Sequence, residues 1–251
     1  MRVFSRATLQ AFWNAHPDVE GPLRAWFDEV EKANWAGPQD IRARYRSADF
    51  VANDRVIFNI RGNNYRLIVH VSYRFHAVYI RFIGTNVEYD KSTLRRSSQP
   101  QGDAMNIRPI KTAEDHAWGL REIEKGMSDG TQPGTPEGDR LEVIMTLVEA
   151  YERQHHAIAP ADPIEAIKFR MEQGKLSTTD LLSIFGTRGR ASEILQRKRR
   201  MSLAMIRGLH STLGISLDIL VREYKLGRQR RPAARVAPAR VKVRTKSGAR
   251  A

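Results

Sequence analysis

The sequence has no cysteine among its 251 residues. Disulfides and thiolate metal sites are excluded, and the composition suits a reducing compartment. Long apolar runs are also missing, since none reaches the ~18–20 residues that a membrane-spanning helix needs. The opening Met1-Arg2-Val3-Phe4-Ser5-Arg6 turns polar too soon for the apolar core of a signal peptide. The expectation is a cytoplasmic protein with no membrane partner, no metal and no cofactor. Acid is missing from one place above all: residues 225–251 carry ten Lys/Arg and no Asp/Glu.

What is present is charge, unevenly placed. The net charge is +14. Residues 1–104 hold 15 Lys/Arg against 11 Asp/Glu, and residues 105–224 hold 17 of each. Within the second segment, 105–180 is acidic (9 against 14) and 188–200 is basic (6 against 1). Two basic surfaces separated by an acidic stretch suggest two nucleic-acid surfaces with an acidic segment between them.

Punctuation divides the chain. Residues 95–104 are polar and read as a linker, with Met105 directly after them. Residues 225–251 mix Arg, Pro, Ala and Val without period and read as a disordered basic tail. Before the linker, a short strand at 2–4 precedes helices at 5–15, with Ser5 as cap, at 22–33 and at 38–45. Strands at 55–61, 65–73 and 77–83 follow, with a Gly62-Asn63-Asn64 turn. The expected domain is α+β, with helices on one face of an antiparallel sheet and the other face partly open. Alternation puts Val56, Phe58, Ile60, Val78, Ile80 and Phe82 toward the helices. It puts Arg55, Asn59, Arg61, Tyr79 and Arg81, with Arg66 and His70, on the other face, a natural phosphate-binding surface.

Residues 105–224 read as all-helical. Residues 177–198 have helix-turn-helix spacing, with Leu181, Leu182 and Ile184 packing the first helix and Gly186 at the turn. Thr187 caps a second helix, whose Ala191, Ile194 and Leu195 face inward. That helix presents Arg188, Gly189, Ser192 and Glu193 to base edges, and Arg190, Arg197, Lys198 and Arg199 beside them, to DNA.

Both halves resemble known families. Residues 1–94 resemble HigB toxins, RelE-like mRNA interferases, through Arg44–Asp49, Phe58–Asn63, Tyr65-Arg66-Leu67, and Ile80–Thr85 ending in Glu88-Tyr89-Asp90. Residues 105–224 resemble HigA antitoxins through Thr135–Glu142, Asp162–Ile167 and the helix-turn-helix. The resemblance implies an endoribonuclease domain at 1–94 that cuts mRNA on the ribosome. It also implies an antitoxin helical region at 105–172 and an XRE/Cro-like DNA-binding domain at 173–224 that represses transcription. The halves would bind each other, and the antitoxin half would form homo-oligomers. The chemistry it implies uses basic side chains and a tyrosine without metal. Arg61, Arg66 and Arg81 would hold phosphate, with Tyr89 for base positioning or proton transfer. Asn86 stands where the family has histidine, and His70 is the candidate substitute. The alternative is a DNA-binding autorepressor whose toxin-like domain is inactive.

Overall fold

The computed structural model describes residues 1–52, 54–85, 88 and 107–227. The linker at 95–104, Asn86, Tyr89 and the tail from 228 lie outside the described residues. Strand β1 (Arg2–Phe4) leads to helices α1 (Arg6–Ala15), α2 (Glu20–Lys32) and α3 (Pro38–Arg44). Strands β2 (Asp49–Val51), β3 (Arg55–Ile60), β4 (Tyr65–Ser72) and β5 (Ala77–Thr85) follow. The sheet order is β1-β5-β4-β3-β2, with β1 parallel to β5 and the other pairs antiparallel. The β3–β4 turn closes tightly because Arg61, Gly62 and Asn63 take φ of 55, 63 and 70°. Glycine and asparagine tolerate that left-handed region, and arginine does so at a cost.

The second half contributes α4 (Ala113–Ser128) and α5 (Pro136–His155), which pair as a hairpin. It continues with α6 (Pro163–Gln173), α7 (Leu182–Phe185), α8 (Arg188–Leu195), α9 (Leu203–Leu213) and α10 (Leu217–Leu220). The helix starts are written in the sequence. Asp162 caps α6 by accepting from the Ile164 amide at 2.9 Å, and Thr187 caps α8 through the Arg190 amide at 3.2 Å.

Two apolar clusters join the halves. On one sheet face, Leu9, Trp26, Phe58, Leu67, Val69 and Val78 pack with α1 and α2. The same cluster runs on through Ile164, Ile167, Phe169, Phe185, Ile194 and Leu209 of the C-terminal helices. On the opposite face, Phe4, Phe75, Ala77 and Tyr79 pack with Ile123, Met127, Leu141, Ile144, Met145 and Val148 of the α4–α5 hairpin. That face, expected to be partly open, is therefore covered beside β1 and β5. The hydrophobic gain of covering aromatics is the physical reason.

Several expectations are corrected. Ser5 precedes α1 but at φ 68° makes no side-chain cap, and its hydroxyl meets that of Thr8 at 2.7 Å instead. Phe82 does not face the helices. A β-bulge at Arg81 shifts the register so that Ile80 pairs with Val69 and Phe82 with Ile68, which puts Ile83 into the core in its place. In the C-terminal helices, Leu182 and Ile184 are only half-buried and Phe185 is the fully buried anchor. Helix α8 stops at Leu195 rather than at 198, because Arg197 takes φ 59°.

Candidate functional site

Cross-strand register sorts the sheet residues. Arg66 lies opposite Asn59 on one side and Gly84 on the other, and His70 lies between Arg55 and Tyr79. These residues share the face that the hairpin approaches. His70 is 4% exposed, and its Nδ1 has no hydrogen-bond partner among the described residues. Burial, helped by the charge of Arg81, holds its pKa below the ordinary imidazole value of 6.5, so it is neutral at pH 7. The Arg66 Nη1 is likewise buried without a partner. Arg81 does have one: its Nη2 meets Glu124 of α4 at 2.7 Å. Burial, reinforced by Glu124, pushes the Tyr79 phenol well up, so it stays protonated. At the end of β5, Glu88 accepts from the Thr85 amide and hydroxyl at 2.8 and 2.9 Å.

Arg61 does not join this face. The positive φ that ends β3 swings its guanidinium to Asp18, at the 3-10 turn Pro17–Val19. The Tyr65 hydroxyl donates to the same carboxylate at 3.1 Å. His16 stacks on Phe12 with ring centroids 4.4 Å apart and sits 5.7 Å from the Tyr65 ring. The expected site is thus split into a sheet face holding Arg66, His70 and Arg81, and a rim cluster holding Arg61, Asp18, Tyr65 and His16. Sequence reasoning missed His16, Asp18 and Tyr65. Tyr65 packs partly against the main core, and nothing local announces that Asp18 comes within reach of Arg61 and Tyr65.

The C-terminal helices carry the other basic surface. Thr187, Arg188, Gly189, Arg190 and Ser192 are exposed on the first turns of α8. The side chains of Arg188, Arg190 and Lys198 form no ion pair among the described residues, which leaves them available to a polyanion. Arg197 is committed elsewhere, pairing with Asp162 at 2.7 Å and Glu165 at 3.0 Å to tie α8 to the start of α6. Glu193 is held by Arg199 at 2.6 Å, so neither reaches outward independently.

Among the described residues, no group of three or more His, Cys, Asp or Glu is placed to hold a metal ion. No described helix is long and apolar enough to cross a membrane.

The sheet and the helices that back it lie within the stretch that comparison identifies. Residues 19–92 match the family model HigB_toxin, the RelE-like toxic component of a toxin-antitoxin system. The chain carries a HigB-type toxin domain. The mRNA interferase HigB of Escherichia coli O6:H1 is 21% identical over 95 residues, which span 37% of this chain and 92% of that protein. The HigB-type domain holds β2 to β5, α2 and α3 complete, and therefore Arg61, Tyr65, Arg66, His70 and Arg81. β1, α1 and the whole helical second half lie outside the family match.

Proposed function

We propose that the HigB-type domain cleaves mRNA on the ribosome, and that residues 107–227 act as its antitoxin within the same chain, neutralising it and reading operator DNA. One observation carries the reading. The acidic hairpin lies on the sheet face where a phosphate backbone would bind, with Glu124 already on Arg81. A carboxylate on a guanidinium stands where an RNA phosphate would otherwise compete. The site needs no metal in this reading, because arginines stabilise the developing phosphorane charge and a neutral side chain takes the proton.

The DNA-reading part rests on α8, whose N-terminal residues remain exposed while the HigB-type domain is docked on α6. The repressor would then be the whole chain, with no need to shed its toxin domain. That exposure also favours the second reading, an autorepressor with an inactive toxin-like domain.

A reporter mRNA in a translating extract separates the two. The double variant Ile123→Glu, Met127→Glu places two charges in the hairpin cluster and should unseat it. The expected outcome is a silent parent chain and a variant that cuts the message. Intact message with a folded, unseated variant leaves the autorepressor. For the DNA part, Arg188→Ala should weaken operator binding by roughly 1–3 kcal/mol and relax discrimination at one base pair. Equal losses on specific and random duplexes, read by fluorescence anisotropy, remove Arg188 from base reading.

A further inference from the structure

The rim cluster has the chemistry of a metal-independent ribonuclease, and neither the sheet face nor the hairpin accounts for it. His16 is half-exposed, and its imidazole makes no hydrogen bond among the described residues, so both ring nitrogens remain available for proton transfer. Beside it, Asp18 gathers the Arg61 guanidinium and the Tyr65 hydroxyl onto one carboxylate. Burial and the bond to Asp18 raise the Tyr65 phenol, which keeps it a proton carrier at neutral pH. Arg61 is held in a left-handed backbone conformation that arginine adopts only at a cost, which is the kind of strain that collects at working sites.

Asp18 also lines an open groove of about 640 Å³ between the start of α2 and the start of α6. Arg24, Arg197 and Arg222 share its wall with Glu20, Asp162, Glu165 and Glu223, and Arg24 and Arg197 are paired with these carboxylates, so the groove is no anion site and the rim cluster stands on its own geometry. Tyr65 is the register partner of Thr85 at the start of β4 and packs partly against the main core, so the cluster sits at the end of the sheet, on the face opposite to Arg66.

We infer that His16 is a catalytic residue, the proton acceptor for cleavage of a single-stranded RNA phosphodiester held by Arg61 at this rim. The inference rests on the RNA-cleaving reading above and names its reacting groups. The His16 imidazole takes the proton of the ribose 2′-hydroxyl. The 2′-oxygen forms a bond to phosphorus while the bond from phosphorus to the 5′-oxygen breaks. The Tyr65 hydroxyl gives its proton to the departing oxygen and regains one through solvent from the imidazolium. The products are a 2′,3′-cyclic phosphate and a 5′-hydroxyl, and no oxidant, reductant or metal enters the balance. Arg61 faces the charge of the pentavalent phosphorus. Arg61 and Asp18 are exposed and His16 and Tyr65 half-exposed, so the rim is open to solvent, and the bulk of the seated hairpin rather than cover of the rim would keep the intact chain out of the ribosome.

The test uses the full chain in two arms. In the first, adenosine 3′-monophosphate is titrated into the unaltered protein and followed by NMR. Shifts at His16 and Tyr65, with about tenfold weaker binding for Arg61→Ala, are expected. Shifts confined to His70 and the Arg66 face, or none at all, overturn the inference. In the second arm, His16→Gln is added to the Ile123→Glu, Met127→Glu chain in the translating extract. Removing a proton acceptor should slow cleavage by on the order of 100-fold or more. Undiminished cleavage overturns the inference and leaves the ribonuclease reading standing. If the unseated chain itself cuts nothing, that reading fails, and the nucleotide titration still decides the rim site.

Discussion

The second half touches the HigB-type domain in two places, and the two contacts are built differently. The α4–α5 hairpin covers the sheet face through its own closed cluster, ten buried residues separate from the main core. The C-terminal helices join the main core itself, with α6 laid along α2. Polar contacts repeat the contrast. At the α6 seam, Gln173 is fully buried, donates to the Asn59 carbonyl at 2.8 Å and accepts from Ser47 at 3.0 Å. Arg170 reaches Glu29 and the Arg44 carbonyl at 3.1 and 3.0 Å. Beneath the hairpin, Arg2 reaches Glu149 at 2.9 Å and Thr146 at 3.1 Å, Arg81 meets Glu124, and one buried carboxylate adds to the joining. Glu152 accepts from the Arg6 amide at 3.0 Å and lies 3.1 Å from His116 Nε2. A core shared by two segments makes them one folding unit, whereas a separate cluster can open by itself. On that contrast the hairpin should open before the C-terminal helices do.

Deletion sets the two contacts furthest apart. Replacing residues 113–155 by a flexible linker should leave a folded chain that arrests growth on induction. Ending the chain at residue 160 removes Ile164, Ile167 and Phe169 from the main core and should give an insoluble product. Circular dichroism and growth curves check both. A soluble, two-state product from the truncation would show that the halves are independent after all.

A graded version follows. Phe169→Ala empties a buried aromatic position in the shared core and should cost about 3–5 kcal/mol. Because HigB-type domain and C-terminal helices share that core, the loss should lower one transition of the whole molecule in denaturant. Met145→Ala in the hairpin cluster should cost roughly 2–5 kcal/mol locally. It should raise hydrogen exchange in α4 and α5 first, with the sheet following only in global unfolding. Equal protection losses in β4 for both variants would erase the distinction.

How much of this was legible follows the range of the signal. The start of α8 was readable because its cap is local, Thr187 accepting from an amide of its own first turn, whereas Ser5, turned to φ 68°, makes no such cap. Strand faces were readable up to the bulge, since alternation carries the register until Arg81 breaks it, and then Phe82 is misassigned. The docking surfaces were not readable. Gln173 looks like any polar residue before a helix-ending glycine, and only the fold brings Asn59 to it. Arg197 looked like a DNA contact because nothing in its neighbourhood announces Asp162, thirty-five residues earlier, as its partner. The rim cluster failed for the same reason, with Asp18 and Arg61 forty-three residues apart.

Acidity should act more on the hairpin side. Burial lowers the pKa of His70, and of His156 at the end of α5, below the ordinary 6.5. At higher pH both folded and unfolded imidazoles are neutral and stability is unaffected. As pH falls through 6.5, the unfolded chain takes up protons that the folded one resists, so stability declines until the lowered values are reached. Glu172, at the α6 seam, has the opposite sign. Burial raises its pKa above 4.5, so its contribution is present at low pH and fades as pH rises through the raised value. Denaturant midpoints should therefore drop between pH 7 and 6, and His70→Leu should flatten the slope. An unchanged slope in that variant would place the titrating groups elsewhere.

The smallest effect is expected where the picture is most electrostatic. The Arg81–Glu124 pair connects the two halves at the sheet face, and its side chains are 27% and 31% exposed. Ion pairs in that setting contribute at most about 1 kcal/mol after screening and side-chain ordering. Burial of Ile123, Met127, Ile144 and Val148 in the hairpin cluster should contribute several times as much. Glu124→Gln should therefore raise the opening of the hairpin by no more than about fivefold, leaving the chain harmless in growth assays while slightly increasing hydrogen exchange in α4. Toxicity from this single substitution would mean that charge, not apolar burial, keeps the hairpin down. The exchanged pair Arg81→Glu, Glu124→Arg sharpens the point: it should keep the hairpin seated and, because Arg81 is lost from the sheet face, weaken RNA binding when the hairpin is opened by Ile123→Glu.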